Sequence, residues 1–381
     1  MKEILLKMNS SSLIIHRSAF RLALSLFIAS LVVLAVGPIL RAQEQEPVRV
    51  FTEEVRLPVF VTDERGRFAQ GLEMDDIVVV EDDVPQEIRS LRRVPANVLL
   101  LLDTGNQLTL AKSVNTTRDI SLQLIHGLSE ESRVAVLQFN DRVEIIQDWT
   151  NDRASLEHAL KTKLYSGRRT RLADALAAAA TKLADLPPGS RHVVLITDGM
   201  ESLPGTSDYA DALKQLTIAQ ATVHVISYTA MTREVVKQKY PDSLIKTPPK
   251  NNPPRESIPG GDPTMPPGQT RSPSYTLFGV DLDFKRRRQA RDYAKATEGS
   301  EARLTSLAEE TGGRILLPKS NQEMIRQGAE VAREIDAQYV ITYKPKRPLA
   351  EAPLGEYRRI KVALRRPGLT IHARHGYIVT R

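Results

Sequence analysis

The chain has 381 residues, enough for two domains that each bury a core, and a formal net charge of +7. The first 42 residues hold +4 of that charge, and the rest, with 5% aromatic residues, supplies neither the basic field nor the stacking platform of a nucleic-acid binder. The absence of cysteine excludes disulfides, thiolate metal sites, a cysteine-linked lipid anchor and a cysteine nucleophile.

Arg17 and Arg21 precede an almost unbroken apolar stretch from Leu22 to Leu40, which ends in Arg41-Ala42. Residues 1–42 therefore read as an export segment, either a signal peptide cleaved after Ala42 or an uncleaved single-helix anchor in the inner membrane. Either way the bulk of the chain is expected in the periplasm, at the cell surface or secreted. Residues 48–94 read as β-rich: Val55, Leu57, Val59 and Val61 alternate, Asp63 to Gly66 form a turn, and Ile77 to Val80 and Gln86 to Leu91 follow as strands.

Two short apolar runs then end in acids. Val98 to Leu102 closes at Asp103, and Val193 to Thr197 closes at Asp198. Such runs read as buried parallel strands that deliver a carboxylate to their C-terminal edge, where open α/β sheets bind ligands. Between them lie a helical period (Ile120, Leu124, Leu128), the strand-like Arg133 to Phe139 and Val143 to Ile146, and a second helical period (Leu172, Leu176, Ala179, Leu183) that Thr170 opens. Val223 to Ile226 adds another strand. The alternation predicts a doubly wound, mostly parallel sheet, and the two acids with a hydroxyl suggest an oxygen-lined site for Mg²⁺ or Mn²⁺.

With Asp103, Thr170 and Asp198-Gly199 in this order, the chain resembles the von Willebrand factor type A domain, in particular that of exported bacterial proteins. The resemblance covers residues 97–336. It implies a metal-ion-dependent adhesion site written D-x-S-x-S after the first strand, with a threonine before the third helix and an aspartate after the fourth strand. An acidic side chain of a protein partner would complete the cation's shell. Here the run is Asp103-Thr104-Gly105-Asn106-Gln107, so Gly105 and Gln107 stand in the serine places. Gly105 offers no side-chain oxygen, and Gln107 is a weak substitute for the octahedral geometry that Mg²⁺ demands. Arg168, Arg169 and Arg171 flank Thr170, and a guanidinium among them is expected to replace the cation between the acids if no metal binds. With Thr104 and Asn106 these arginines make the expected binding rim.

Residues 230–300 read as a proline-rich insertion, since ten of the 23 prolines fall between Pro241 and Pro273. Lys285 to Arg288 and Arg291 read as the solvated face of a helix that continues through Tyr293. Leu304, Leu307 and Ala308 continue a helical pattern to Gly312-Gly313, a C-cap that feeds a strand from Arg314 to Leu317. Strands at Tyr339 to Tyr343, Tyr357 to Leu364 and Leu369 to His372 make residues 338–381 a C-terminal β segment, expected to join residues 48–94 in a smaller β domain. His192 and His224 fall on strands and need no special role.

No G-x-S-x-G elbow, H-E-x-x-H helix or phosphate loop occurs, so an enzyme is not expected, and a hydrolase built on Asp103 and Asp198 is the weakest reading. The sequence points first to an adhesion-type module that binds a protein partner, not a small molecule, through a degenerate metal site. The alternative is a metal-free structural or assembly domain of the cell envelope.

Overall fold

A computed structural model describes residues 54–69, 71–105, 111–202, 205–240, 276–277, 280–281 and 284–380. The expected export segment and most of the proline-rich stretch lie outside the described residues. Four strands come first: β1 (Val55–Asp63), β2 (Ile77–Glu81), β3 (Val84–Gln86) and β4 (Ile88–Arg92), with a short 3₁₀ turn at Met74–Asp76. Then β5 (Asn97–Asp103), α1 (Val114–Gly127), β6 (Arg133–Phe139), β7 (Val143–Thr150), α2 (Arg153–Thr162) and α3 (Leu172–Ala184) lead to β8 (Arg191–Thr197). They are followed by α4 (Tyr209–Ile218), β9 (Thr222–Ser227) and α5 (Thr229–Lys239). A two-rung ladder of β10 (Thr276–Leu277) and β11 (Val280–Asp281) precedes the long α6 (Phe284–Glu310). The chain ends with β12 (Ile315–Leu316), α7 (Asn321–Ala337), β13 (Tyr339–Tyr343), β14 (Tyr357–Leu364), β15 (Leu369–Ala373) and β16 (Gly376–Ile378).

The central sheet has the order β12-β9-β8-β5-β6-β7, parallel except for the antiparallel edge strand β7. Strand β5 is apolar throughout its interior because both of its faces are covered. Val98, Leu100 and Leu102 join a core with Ile120 and Leu124 of α1 and Val331 and Ile335 of α7. Leu99 and Leu101 join a core with Leu176 and Leu183 of α3, Leu216 of α4 and Leu304 and Leu307 of α6. Each buried leucine contributes about 1.5–3 kcal/mol, so this one strand anchors both layers. The chain leaves β5 toward β6 on one side and later returns to β8 on the other. The gap between the C-terminal ends of β5 and β8 is thus the topological switch point of the sheet.

Two four-stranded antiparallel sheets, β15-β1-β13-β4 and β16-β14-β2-β3, share a third core of Leu57, Val59, Val79, Ile341, Ile360 and neighbours. Strands from both ends of the chain pair, as expected, and they make two sheets. The alternating residues of β1 fill this core, and Pro58 is tolerated because β15 pairs with β1 only from Val59 onward. The stretch read as one strand over Gln86 to Leu91 is split. Asp82 and Asp83, both with positive φ, form a two-residue turn that adds β3 as a hairpin to β2.

At the two ends of the expected insertion over 230–300 the described residues are helical. Helix α5 occupies its first residues and α6 its last, as one continuous helix of 27 residues that carries Arg286 and Arg288 on its exposed face and Arg287 in a buried position. Gly312, at φ 78°, ends that helix as the Gly312-Gly313 pair predicts.

Candidate functional site

Strand register puts Leu102 beside Ile196, so Asp103 at the end of β5 lies next to Thr197 and Asp198 at the end of β8. Asp103, Thr170 and Asp198 come together there, 0%, 2% and 1% exposed. Oδ1 of Asp103 accepts from the Gly105 amide at 3.0 Å and from the Thr170 hydroxyl at 3.4 Å. Oδ2 accepts from Thr197 Oγ1 at 2.7 Å and from Lys112 Nζ at 2.9 Å. The same Lys112 ammonium lies 3.3 Å from Oδ2 of Asp198. Asp198 is held further by the Met200 amide at 3.1 Å on Oδ1 and by the Tyr293 hydroxyl of α6 at 2.6 Å on Oδ2. Ser300, also on α6, donates to the Asp198 carbonyl at 2.7 Å.

Burial pushes the Asp103 carboxyl up to about 6, against the pull of Lys112, while Asp198 adds to the rise. Burial works against the Lys112 charge, but the two carboxylates outweigh it and hold the ammonium above the usual lysine range. Burial, reinforced by the neighbouring Asp198, raises the Tyr293 phenol well above its ordinary range, so it stays a hydrogen-bond donor.

The expected arginine is not the cation at these acids. Arg171 pairs with Asp174 at 3.3 Å, and Arg168 and Arg169 project into solvent, Arg168 giving its backbone amide to Asp141. The loop that carries them reaches the site with its backbone and with Thr170, while its guanidinium groups face outward. Thr104, expected on the rim, is buried and accepts from the Asn140 side chain at 3.0 Å. Asn106 and Gln107 lie outside the described residues.

The glycine in the serine place has a structural reason. A Cβ on Gly105 would stand 2.1 Å from the Arg169 carbonyl oxygen and 2.3 Å from Thr170 Oγ1. Gly105 forms a bridge with Gly167, and the Gly167 amide donates to the Thr104 carbonyl at 3.0 Å, so the two loops close directly on each other. Among the described residues the donor set therefore does not fit a divalent ion. Each oxygen of Asp103 already holds two protein donors, no side-chain oxygen is available at Gly105, and no group of three or more His, Cys, Asp or Glu side chains among the described residues could hold a metal.

Sequence reasoning missed Lys112 and Tyr293. Lys112 directly precedes Ser113, whose hydroxyl caps α1. A lysine at a helix N-terminus opposes the helix dipole, and that mismatch was the readable signal. Tyr293 carried none, since it is separated from Asp198 by the proline-rich stretch.

Beside the site, on the same sheet edge, a groove of about 540 Å³ is lined by Asp141, Arg142, Arg171, Asp174, Thr206 and Ser207. Elsewhere His192 and His224 are buried neighbours on β8 and β9, and burial lowers them to about 4 and about 3, so they are uncharged at neutral pH. No described helix is long and apolar enough to cross a membrane, and Leu22 to Leu40 lies outside the described residues.

Residues 97–250 match the von Willebrand factor type A domain family. No curated protein matches the chain. Among solved structures it is similar to an aerotolerance-related membrane protein from Bacteroides fragilis, at 17% identity and a TM-score of 0.38, over 63% of this chain and 98% of that one. It is also similar to a von Willebrand factor type A protein from Catenulispora acidiphila, at 11% identity and a TM-score of 0.41, over 82% of this chain and 75% of that one. A third is the manganese-loaded TRAP protein of Plasmodium vivax, at 17% identity and a TM-score of 0.31, over 36% of this chain and 60% of that one.

Proposed function

The chain carries a von Willebrand factor type A domain, and from that premise we propose that it is an exported docking module whose protein partner seats on the C-terminal edge of the six-stranded sheet. Domains of this family are non-catalytic adhesion and structural modules. The observation that carries the reading is the polar groove beside the buried acids, lined in part by Arg142 and Arg171, with Arg168 and Arg169 exposed on the loop that leads to Arg171. Exposed guanidinium groups around a concave polar surface suit the carboxylates of an acidic partner, which they bind in a fork. Export rests on the arginine-flanked apolar segment from Leu22 to Leu40.

Burial of Asp103 and Asp198 supports a second reading, in which the domain serves as a metal-free structural or assembly element of the envelope. Capture from envelope extract of the native host separates the two. Under docking, an immobilised Arg168→Glu, Arg169→Glu double variant loses a partner that wild type retains, and the loss follows ionic strength. Equal capture by both proteins would remove the arginine rim from the account.

A further inference from the structure

Two buried carboxylates at one switch point pose a charge problem. Close acids in a low-dielectric place either share a proton or need a cation between them. A divalent ion is the answer that the resemblance implies. The residues present give another, and it stands apart from the question of which partner docks.

Lys112 Nζ lies between the acids, 2.9 Å and 3.3 Å from their facing Oδ2 atoms, and the lysine is 8% exposed. An ion bound to the same two oxygens at about 2.0–2.1 Å would overlap the ammonium, and its charge would repel it. The loop closure points the same way, because Gly105 lies too close to Arg169 and Thr170 to carry a hydroxyl donor. Lysine suits the place better than arginine: its compact ammonium has three donors to share between two acids, whereas a guanidinium fork matches one carboxylate at a time. On the far side, Tyr293 donates to the Asp198 oxygen that faces Lys112, so α6 closes the site where a partner's acid would enter.

We propose that the Lys112 ammonium is the resident cation of this site, covalently part of the chain, and that it makes the domain's closed edge independent of Mg²⁺ and Mn²⁺. A partner therefore meets the arginine rim and the groove, and its acid completes no ion's shell.

The test uses the full-length protein with chelator, with millimolar Mg²⁺ and with millimolar Mn²⁺. Wild type is expected to melt at one temperature in all three, and its addition is expected to leave the electron paramagnetic resonance signal of free Mn²⁺ undiminished. Lys112→Met, which removes the charge and keeps most of the volume, is expected to melt several degrees lower in chelator, and Lys112→Arg to fall between the two. Stoichiometric Mn²⁺ binding by wild type that Asp198→Ala abolishes would overturn the proposal, as would a Lys112→Met protein that melts with wild type. The wild-type titration decides the question even if the methionine variant fails to fold.

Discussion

Two regions bury an ion pair, and they answer the cost of burial differently. At the sheet edge one lysine serves two acids, and Asp103 and Asp198 draw their other donors from loops and from α6. In the β sandwich one acid, Glu81, is surrounded by donors: Arg358 at 3.0 Å, Tyr343 at 2.7 Å and Tyr377 at 3.1 Å. The same guanidinium also reaches the carbonyls of Arg347 and Pro348, at 2.8 Å and 3.1 Å. The sandwich cluster gives its buried carboxylate a buried guanidinium of its own and is built mainly on strands from both ends of the chain. The edge site carries one more acid than cation, so it holds a carboxyl that can take up a proton. The difference teaches that an acid matched by its own guanidinium and two hydroxyl donors makes a tight join, whereas a second acid beside one lysine leaves Asp103 raised and the edge responsive to pH.

The largest effect is expected where one buried acid has one buried cation. Arg358→Met leaves the buried Glu81 without its cation, with only the two tyrosine donors, and should cost about 3–5 kcal/mol in denaturant unfolding. A loss under 1 kcal/mol would mean that the two tyrosines alone satisfy the carboxylate, and the contrast between the regions would break.

A smaller, pH-dependent loss is expected at the edge. Asp103 titrates at about 6 when folded, above its ordinary 3.8, so its contribution to stability falls as pH rises through that window. Without Lys112 this penalty grows, because two carboxylates then face each other. Lys112→Met should therefore cost about 2–3 kcal/mol at pH 8 and progressively less toward pH 5, where Asp103 is protonated. A deficit that stays constant with pH would show that lost packing, not charge, is what the lysine contributes.

Tyr293→Phe sharpens the comparison at the smallest scale. It removes one donor from Asp198 but leaves Lys112 in place, and should cost roughly 1.5 kcal/mol. Hydrogen exchange in α6 is the finer readout, since Tyr293 and Ser300 both tie that helix to Asp198. Unchanged exchange along the helix would free α6 from any part in closing the site.

The doubly wound sheet was legible because apolar runs such as Val98 to Leu102 occur only where both faces are covered, and because Leu172 and Leu183 keep a helical period. Asp103, Thr170 and Asp198 were legible through their place at strand and helix ends. The cation was not. The expectation of an arginine followed chain proximity to Thr170, whereas the backbone turn at Gly167 directs Arg168 and Arg169 outward. Lys112 enters through a loop whose path no periodicity records. Strands β3 and β16 were hidden for a similar reason: each is three residues long, below the length at which alternation can be read.

Strands β4 and β13 are hydrogen-bonded neighbours, and the whole central sheet with its helices is inserted between them. Mechanically, the insertion hangs from a closed clasp. Tension that enters at Val55 meets β1, which is laddered to β13 on one side and β15 on the other, and must shear those rungs before load passes to the clasp. For a chain held at its N-terminal end, the sandwich acts as the load-bearing mount.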